Sequence, residues 1–519
     1  MMKKQTKIVA TLSTAALLAL GFSAVSMAAG WDNSTGAWRY LNNDGSEVVD
    51  EWKSANGNWF YLDSDGVMAT DKLIEDESGS KTKYYYVDQY GAMVKNTWKA
   101  VAMDDDDNTD LDAEYWWYYF GNDGKAYTID DDKAITKSKV KTINGYKYAF
   151  DAEGHMLYGW TLAEAGNHSQ NDDNKQLWQD AKYYFNGWND GHAQTGWAQI
   201  NVEKEDGDTA DYWFYFNGDG EKQAGKRKKI NGVYYVFAED GHMIDEWTIE
   251  TVNASGSKVW GNNFTTTSDA ASISYVNGDG AQRKNTWIWA IPAEDWIPGD
   301  YDDDEYSWFY AGKDGKLTVG EVKKINGKKY AFDSEGRMQT GFVVVDKDNK
   351  VGAQYGHDKF SREQWIDKDL KDIKYFSSDE EKDGAMKTGY QNIELEDDTY
   401  QFYFQKDGKA LTKYDSKIKK FTIAGLVLKP TADDDNNYAA VTATKVGDDL
   451  IPSDITTNYN DMTAGMYLVN KQGTIVKGKT VKDENDQYYL TNGDGTIAKM
   501  ARDKDEYKSL VDNKVWVKD

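Results

Sequence analysis

The chain has 519 residues, of which 39% are hydrophobic and 14% aromatic, with 36 Tyr and 20 Trp. It contains no cysteine, which excludes disulfides and thiolate metal sites, so its stability must come from packing of largely aromatic side chains. A formal charge of −27 argues against nucleic acid and anionic lipid as partners and is compatible with a neutral glycan or a cationic ligand.

Residues 1–29 have the pattern of a secretory signal peptide. Three lysines precede an apolar run that begins at Ile8, and small residues follow up to Ala29. The apolar run is too short for a membrane span, and no later segment approaches the roughly 20 apolar residues that a span needs. We therefore expect a secreted protein without a transmembrane segment. Because the C-terminal DNKVWVKD has no sorting signal, we expect noncovalent attachment to the bacterial cell wall.

Two aromatic repeats follow at 30–70, reading WDNSTGAWRYLNNDGSEVVDEW and WKSANGNWFYLDSDGVMATDKL. Each combines an opening Trp, a strand of alternating aromatics, an Asp-Gly turn and a second short strand. Such a unit predicts a β-hairpin. A single hairpin cannot bury its aromatic face alone and must stack on its neighbours. The predicted fold is therefore all-β, with tandem β-hairpin repeats stacked as an extended solenoid.

A longer period occupies 71–428. Short units of the type KKINGKKYAFDSEGRM recur, with matching isoleucines at Ile143, Ile230 and Ile325 and a degenerate copy at Ile423. Two longer hairpins lie between successive short units. The pattern predicts four super-repeats of three hairpins each, at 71–159, 160–246, 247–341 and 342–428.

The residue at the junction into a hairpin depends on the hairpin type. Aromatic residues occupy the junctions of the first and second hairpins, namely Trp160, Trp247 and Phe342, and then Trp98, Trp197, Trp287 and Tyr390. The junction into the third hairpin carries Lys and Arg, as in GKRKK at 225–229. We expect the three hairpin types to differ in binding competence.

The last segment, 429–519, is less regular. GMYLVNKQGTIVKG and DQYYLTNGDGTIAKM within it look like decayed repeats. We expect degenerate repeats and a C-terminal cap.

The pattern GxWYYLxxxGxMxxGW resembles the choline-binding and cell-wall-binding repeats of Gram-positive surface proteins, and the related glucan-binding and clostridial toxin C-terminal repeats. The stretch INGKKYAFDSEGRMQTGF at 325–342 is most similar to the glucan-binding and toxin variants. The resemblance implies a binding protein for choline-bearing teichoic acid, cell-wall polysaccharide or glucan, without a catalytic site and without a cofactor.

In the choline-binding branch, the resemblance implies sites between successive hairpins. Each site combines a strand aromatic of one repeat, the junction Trp and a strand Tyr of the next repeat, because aromatic faces hold a quaternary ammonium by cation–π attraction. Carried over, these positions are Trp38, Trp52 and Tyr61 with Met68 nearby, then Tyr84, Trp98 and Tyr119, and then Tyr183, Trp197 and Tyr215. In the short hairpins, Lys147, Tyr234 or Lys329 replaces the strand Trp, so these hairpins should not complete a cage.

Two alternatives stay open. Each aromatic side chain can simply pack between hairpins. The whole chain can also be a structural or host-contact surface rod with few or no ligand sites, for which self-association stays open.

We expect no enzyme and no metal site. The sequence has no G-x-S-x-G elbow, P-loop or cysteine nucleophile, and hairpins use nearly all of the mature chain. The five histidines lack ligand spacing. Acidic runs at 104–112, 171–174, 300–305 and 433–437 are interpreted as solvated loops, with calcium coordination as the alternative.

Overall fold

The computed structural model describes residues 29–103, 113–165, 176–356, 359–377, 384–396, 398–431, 434 and 436–515. The predicted signal peptide up to residue 28, the acidic runs at 104–112 and 171–174, and two of the histidines, His168 and His357, lie outside the described residues. The chain divides into two compact units, 1–245 with 251–261, and 246–250 with 262–519. Within the described part, no helix is both long and apolar enough to span a bilayer.

Short strands that pair as antiparallel hairpins dominate both units. The strands up to residue 261 are β1 (Gly30–Asp32), β2 (Arg39–Leu41), β3 (Glu51–Ala55), β4 (Asn58–Leu62), β5 (Lys72–Asp76), β6 (Lys83–Val87), β7 (Thr97–Ala102), β8 (Tyr115–Phe120), β9 (Lys141–Ile143), β10 (Tyr146–Tyr148), β11 (Gly159–Thr161), β12 (Tyr183–Phe185), β13 (Gly196–Glu203), β14 (Thr209–Phe216), β15 (Lys226–Ile230), β16 (Val233–Phe237), β17 (Trp247–Val252) and β18 (Lys258–Gly261).

The strands after residue 261 are β19 (Ile273–Tyr275), β20 (Thr286–Ala290), β21 (Ser307–Ala311), β22 (Val322–Ile325), β23 (Lys328–Phe332), β24 (Met338–Gln339), β25 (Gly341–Val345), β26 (Val351–Tyr355), β27 (Ile373–Phe376), β28 (Gly389–Glu394), β29 (Thr399–Phe404), β30 (Lys413–Asp415), β31 (Lys420–Ile423), β32 (Leu426–Val427), β33 (Tyr438–Val446), β34 (Asp449–Thr456), β35 (Tyr467–Asn470), β36 (Thr480–Lys482), β37 (Tyr488–Thr491) and β38 (Ile497–Ala501). The helices are α1 (Leu177–Asp180), α2 (Pro298–Asp302), α3 (Arg362–Asp367) and α4 (Lys504–Asp512).

Each of the four ranges predicted as super-repeats contains several sets of paired strands. The range 71–159 holds the pairs β5/β6, β7/β8 and β9/β10, and 160–246 holds β11/β12, β13/β14 and β15/β16. In the second unit, the range 247–341 holds the pairs β17/β19, β20/β21 and β22/β23. The range 342–428 holds the pairs β25/β27 and β28/β29, and also β31, which pairs with β30 on one side and with β32 on the other. The prediction of an all-β fold built from tandem hairpins is confirmed. The exact boundaries of the super-repeats and of the C-terminal cap stay predictions.

The turn that closes the hairpin differs from the expected one. Asn56 and Gly57 join β3 to β4 with φ of +48° and +81°, which suits the tight loop of a twisted hairpin. The Asp-Gly turn instead follows β4 and leads to a single bridge between Leu62 and Met68. The segment leaves β4 after one bridge because the Met68 N–H donates to the Trp38 carbonyl of the preceding hairpin, at 2.8 Å.

This backbone hydrogen bond recurs and links successive hairpins within each unit. In the first unit, the donor and acceptor residues are Met68 and Trp38, Met93 and Trp59, Ala126 and Tyr84, Met156 and Trp117, Ala193 and Lys147, Lys222 and Lys182, and Met243 and Trp213. In the second unit they are Leu317 and Ile273, Met386 and Lys329, and Ala410 and Ile373. The bonds fix each hairpin on the next one, and they pair backbone groups that stacking would otherwise leave buried without a partner.

The core of each unit lies between the stacked hairpins. In most of these hairpins, a phenylalanine on or just after the second strand points into this core. These phenylalanines are fully buried: Phe60, Phe120, Phe150, Phe185, Phe216 and Phe237 in the first unit, and Phe309, Phe332, Phe376 and Phe404 in the second. Because side chains alternate along a strand, the neighbouring Tyr and Trp residues point to the other face. That face carries the candidate site.

Candidate functional site

The junction tryptophan of a second hairpin is surrounded by three other rings. Trp98 on β7 lies directly opposite Tyr119 on β8, and their ring centres are 5.1 Å apart. Trp117 lies two residues before Tyr119 on β8. Its ring plane makes an angle of 80° with that of Trp98, and the two ring centres are 6.4 Å apart. Tyr148 of the next hairpin lies 4.8 Å from the Trp98 ring. We call this arrangement of two perpendicular tryptophans and two tyrosines an aromatic corner.

The same corner recurs in the next super-repeat. Trp197 lies 5.2 Å from Tyr215, its partner across the strands, and 4.8 Å from Tyr235 of the next hairpin. Trp213 stands at 82° to Trp197, with ring centres 6.3 Å apart. The Trp213 side chain is 43% exposed, so one wall of this corner is open to solvent.

A third corner lies in the second unit. Trp287 lies 5.3 Å from Tyr310 and 4.8 Å from Tyr330, and Trp308 stands at 86° to it at 6.1 Å. Trp308 is 41% exposed. Matching geometry in three second hairpins follows from the strand register, because cross-strand partners and their diagonal neighbours are the side chains that touch on one face.

The N-terminal hairpin forms a related arrangement. Trp31 contacts Tyr40 at 5.4 Å and Trp38 at 6.5 Å and 78°, but the ring supplied by the next hairpin is Phe60. The fourth super-repeat keeps less of the corner. There Tyr390 contacts Tyr403 at 5.0 Å, and Gln401 takes the place of the second tryptophan.

The predicted ligand residues come together in part. In each of the three predicted sets, the junction Trp and the strand Tyr of one hairpin are in ring contact: Trp52 and Tyr61 at 5.2 Å, Trp98 and Tyr119 at 5.1 Å, and Trp197 and Tyr215 at 5.2 Å. The third member of each set, which the preceding hairpin supplies, is Trp38, Tyr84 or Tyr183. Among the described residues, no ring contact joins this third member to the pair. Binding by all ten predicted residues stays a prediction.

The third members have other neighbours. Trp38 contacts Trp31, and its carbonyl accepts the Met68 N–H. The Tyr84 carbonyl accepts the backbone N–H of Ala126. Tyr183 is buried, and its hydroxyl donates to the Ile135 carbonyl at 2.7 Å.

Sequence reasoning missed several corner residues. They are Trp117, Tyr148, Trp213, Tyr235, Trp287, Trp308, Tyr310 and Tyr330. The matching NTW motifs at 96–98 and 285–287 could have identified the third corner. The tyrosine that the following hairpin supplies recurs five residues after the isoleucine of each short unit, at Tyr148, Tyr235 and Tyr330, but this spacing does not show which ring it contacts.

Three indole N–H groups around these rings lack an acceptor. Those of Trp31, Trp52 and Trp117 are buried and, among the described residues, have no hydrogen-bond partner. An unpaired buried donor costs about 1 to 3 kcal/mol.

Burial keeps the phenols of Tyr61, Tyr119 and Tyr148 neutral at physiological pH. Burial raises the pKa of Tyr119, and it raises the pKa of Tyr148 to about 12. Burial also raises the pKa of Tyr61, with a further contribution from the nearby Asp50 carboxylate. Neutral phenols keep an electron-rich ring face, which suits both a cation and the apolar face of a sugar.

The junction residues of the first hairpins are placed differently. Trp247 is buried and its indole donates to the Ile291 carbonyl at 2.7 Å. Trp160 contacts Tyr184 and Phe214, and the ammonium group of Lys222 lies 5.4 Å from the Trp160 ring. These rings pack in the core. The expected difference in binding competence among the hairpin types stays a prediction.

One cluster has metal-ligating groups. The ligand atoms of Asp151, Glu153 and His155 lie within 4.8 Å of one another. Asp151 already accepts the backbone N–H of His155 at 2.7 Å, and its other oxygen lies 2.9 Å from the His155 ring nitrogen. In the matching turn of the third super-repeat, Arg337 pairs with Asp333 at 2.9 Å. The cluster is thus accounted for by the local turn.

Residues 48–98 match the family model of the choline-binding repeat. The predicted resemblance is confirmed, and the matched residues contain sequence of the choline-binding repeat type. The chain is also 24% identical over 266 residues to glucosyltransferase-S of Streptococcus mutans, and 25% identical over 362 residues to glucosyltransferase-I of Streptococcus downei. These matches cover 44% and 57% of this chain but 16% and 20% of the two relatives, so the chain spans a minor part of their length.

Among solved structures, the chain is similar to the choline-binding domain of CbpL from Streptococcus pneumoniae. The two are 20% identical, with a TM-score of 0.28, and the match covers 49% of this chain and 96% of that domain. Choline-binding protein F of the same organism matches at 16% identity and a TM-score of 0.20, over 77% of this chain and 98% of that one.

Proposed function

We propose that the chain is a secreted, non-catalytic repeat protein that attaches noncovalently to the bacterial cell wall by binding a choline-bearing teichoic acid or an extracellular glycan. The aromatic corners are the proposed binding sites. The observation that carries the proposal is the repetition of one four-ring geometry around Trp98, Trp197 and Trp287, with an exposed wall in two of the three copies.

The chemistry of the corner fits two ligand classes. A quaternary ammonium has no proton to donate and is held by aromatic faces, which two perpendicular indoles and two neutral phenols supply. A sugar ring places its apolar face on the same rings. The net charge of −27 favours the cationic ligand.

Repetition compensates for weak single sites. A single aromatic cage binds weakly, whereas several linked sites on one polymer gain avidity because each later binding event is intramolecular. A wall polymer or a glucan offers such repeated ligands. The comparisons support both ligand classes, since the matched family model is a choline-binding repeat and the two curated relatives are glucosyltransferases. Because the matches cover only 16% and 20% of the two glucosyltransferases, they are no argument that this chain shares their catalysis.

The test is retention of the mature protein on a choline-analogue resin and, in parallel, on insoluble α-glucan, with elution by free choline or by soluble glucan. We expect retention on at least one of them. The variants Trp213→Gln and Trp308→Gln open the second and third corners, and they copy the natural Gln401 of the fourth super-repeat, so the fold should tolerate them. We expect the double variant to elute at a lower ligand concentration.

The matched control is Tyr90→Gln. Tyr90 is 46% exposed, lies in the turn after β6 and, among the described residues, has no ring contact, so its loss should not change elution. If the wild-type protein is retained on neither support, the ligand assignment is wrong. The structural or host-contact rod is then the better account, since the Lys and Arg junctions of the third hairpins already provide hairpins without a corner.

A further inference from the structure

One face of the β20/β21 hairpin carries three exposed aromatic rings in mutual contact. Trp289 is 52% exposed, Tyr306 53% and Trp308 41%. The Trp289 ring stacks on Tyr306 at 22° with ring centres 5.6 Å apart, and it lies 5.0 Å from the Trp308 ring. We call these three residues the aromatic platform. Contiguous exposed aromatic surface of this kind is a mark of a binding site, because water would otherwise favour its burial.

The fold does not require the platform. Trp289 lies opposite Trp308 on the neighbouring strand. At the same register, the other second hairpins have Ala100 opposite Trp117 and Gln199 opposite Trp213. These hairpins form their corners without a third tryptophan. A corner can therefore form without the Trp289 side chain.

The hairpin that carries the platform is strongly acidic. Residues 285–312 contain seven acidic side chains and no Lys, Arg or His: Glu294, Asp295, Asp300, Asp302, Asp303, Asp304 and Glu305. The last four are exposed and lead directly into Tyr306. Asp300 is paired with Arg337 of the next hairpin at 2.9 Å, and the exposed segment 302–305 retains its charge at the surface.

We propose that the aromatic platform binds a glycan chain that carries free amino groups, as in a polymer of glucosamine units. The aromatic rings stack on the apolar faces of the sugar units and attract their ammonium groups by cation–π attraction. The carboxylates of 302–305 add an electrostatic attraction that salt should weaken. The proposal goes beyond the corner sites, because Trp289 and Tyr306 belong to no corner and only Trp308 is shared.

Other occupants fit the platform less well. A neutral glucan would stack on the rings but would leave the acidic segment without a partner. A single quaternary ammonium would cover one ring of the three. A chain of amino sugars uses both the length of the aromatic surface and the charge beside it.

The experiment is calorimetric titration of the full mature chain with a glucosamine tetrasaccharide, and with its N-acetylated form and a neutral α-glucan tetrasaccharide as ligand controls. We expect preferential binding of the glucosamine oligomer, weakened by raising NaCl from about 0.05 to about 0.5 M. Trp289→Ala should weaken this binding about tenfold or more, because it removes the central ring of three. It copies Ala100, so the thermal midpoint should stay unchanged.

Two further measurements separate this proposal from the corner sites. Trp59→Ala removes a tryptophan that is 43% exposed and lies far from the platform in sequence, and it should leave the titration unchanged. Retention of Trp289→Ala on the choline resin should equal that of the wild-type protein. The platform proposal is overturned if the N-acetylated or the neutral oligomer binds as tightly as the glucosamine oligomer, or if Trp289→Ala binds the glucosamine oligomer as tightly as the wild-type protein does. Failure of the wild-type protein to bind the choline resin would contradict the corner sites and not the platform.

Discussion

The Met68 side chain lies against Gly91 of the next hairpin, at the contact where one hairpin stacks on another. A Cβ atom at Gly91 would come within 2.8 Å of the Met68 Cε atom and 3.1 Å of the Ala69 carbonyl oxygen. Gly91 also has φ of +80°. The same contact joins Met93 to Gly124. Stacking of the repeats thus needs glycine for its backbone conformation and for its lack of a side chain.

We expect Gly91→Ala to lower the free energy of unfolding by about 2 to 4 kcal/mol, the sum of a positive-φ penalty and overpacking. Gly57→Ala is the matched control, because Gly57 has φ of +81° and open space around its Cβ position. It should cost only about 1 to 2 kcal/mol. Urea denaturation followed by tryptophan fluorescence measures both. Adding Met68→Ala to Gly91→Ala should recover part of the difference, and equal losses in the two glycine variants would refute the steric contribution.

Lys222 takes the place that methionine has in other hairpins, and its ammonium group is buried. Its Nζ donates to the carbonyls of Asp240 at 2.7 Å and Gln179 at 3.1 Å, and also to that of Trp178. Burial lowers its pKa from 10.5 to about 7. The unfolded chain therefore binds this proton more tightly than the folded chain. The free energy of unfolding should rise between pH 7 and pH 10.5, and the contribution should be constant below pH 7.

The variant Lys222→Met tests this linkage. We expect its stability advantage over the wild-type protein to be greatest below pH 7, and to fall as the pH rises towards 10, with a slope of up to about 1.4 kcal/mol per pH unit. Replacement of a buried charge by an apolar side chain is often neutral or stabilising, so the variant should fold. Urea denaturation across this pH range measures the difference. The exposed Lys226→Met is the control, and a pH-independent difference for Lys222→Met as well would contradict the linkage.

The hairpins themselves could be predicted because their signals are local. Alternating aromatics set the faces of a strand, and the pairing of Trp98 with Tyr119 or of Trp197 with Tyr215 follows from register within one hairpin. The closing turn was harder to predict. Asn56-Gly57 and the later Asp-Gly are both turn signals. Which of them closes the hairpin depends on whether β4 pairs with the strand before it or with the segment after it.

The wall that the next hairpin supplies could not be predicted from local pattern. It depends on how one hairpin is rotated and shifted on the next, which is set by packing between residues far apart in sequence. The family pattern placed Tyr84 beside Trp98, whereas the ring contact from a neighbouring hairpin comes from Tyr148 of the hairpin that follows. Backbone hydrogen bonds such as that from Met68 to Trp38 fix this arrangement, and no side-chain pattern encodes them.

Tyr183 is the residue for which core packing and ligand binding predict opposite results. Its buried hydroxyl donates to the Ile135 carbonyl at 2.7 Å, so Tyr183→Phe should lower the free energy of unfolding by about 1 to 3 kcal/mol, because the carbonyl loses its donor. Retention on the choline resin or on glucan should not change, since the Trp197 ring is in contact with Tyr215 and Tyr235 instead. Tyr146→Phe, at an exposed ring, serves as the control with little loss of stability. Weaker retention of Tyr183→Phe at unchanged stability would assign Tyr183 to the ligand site.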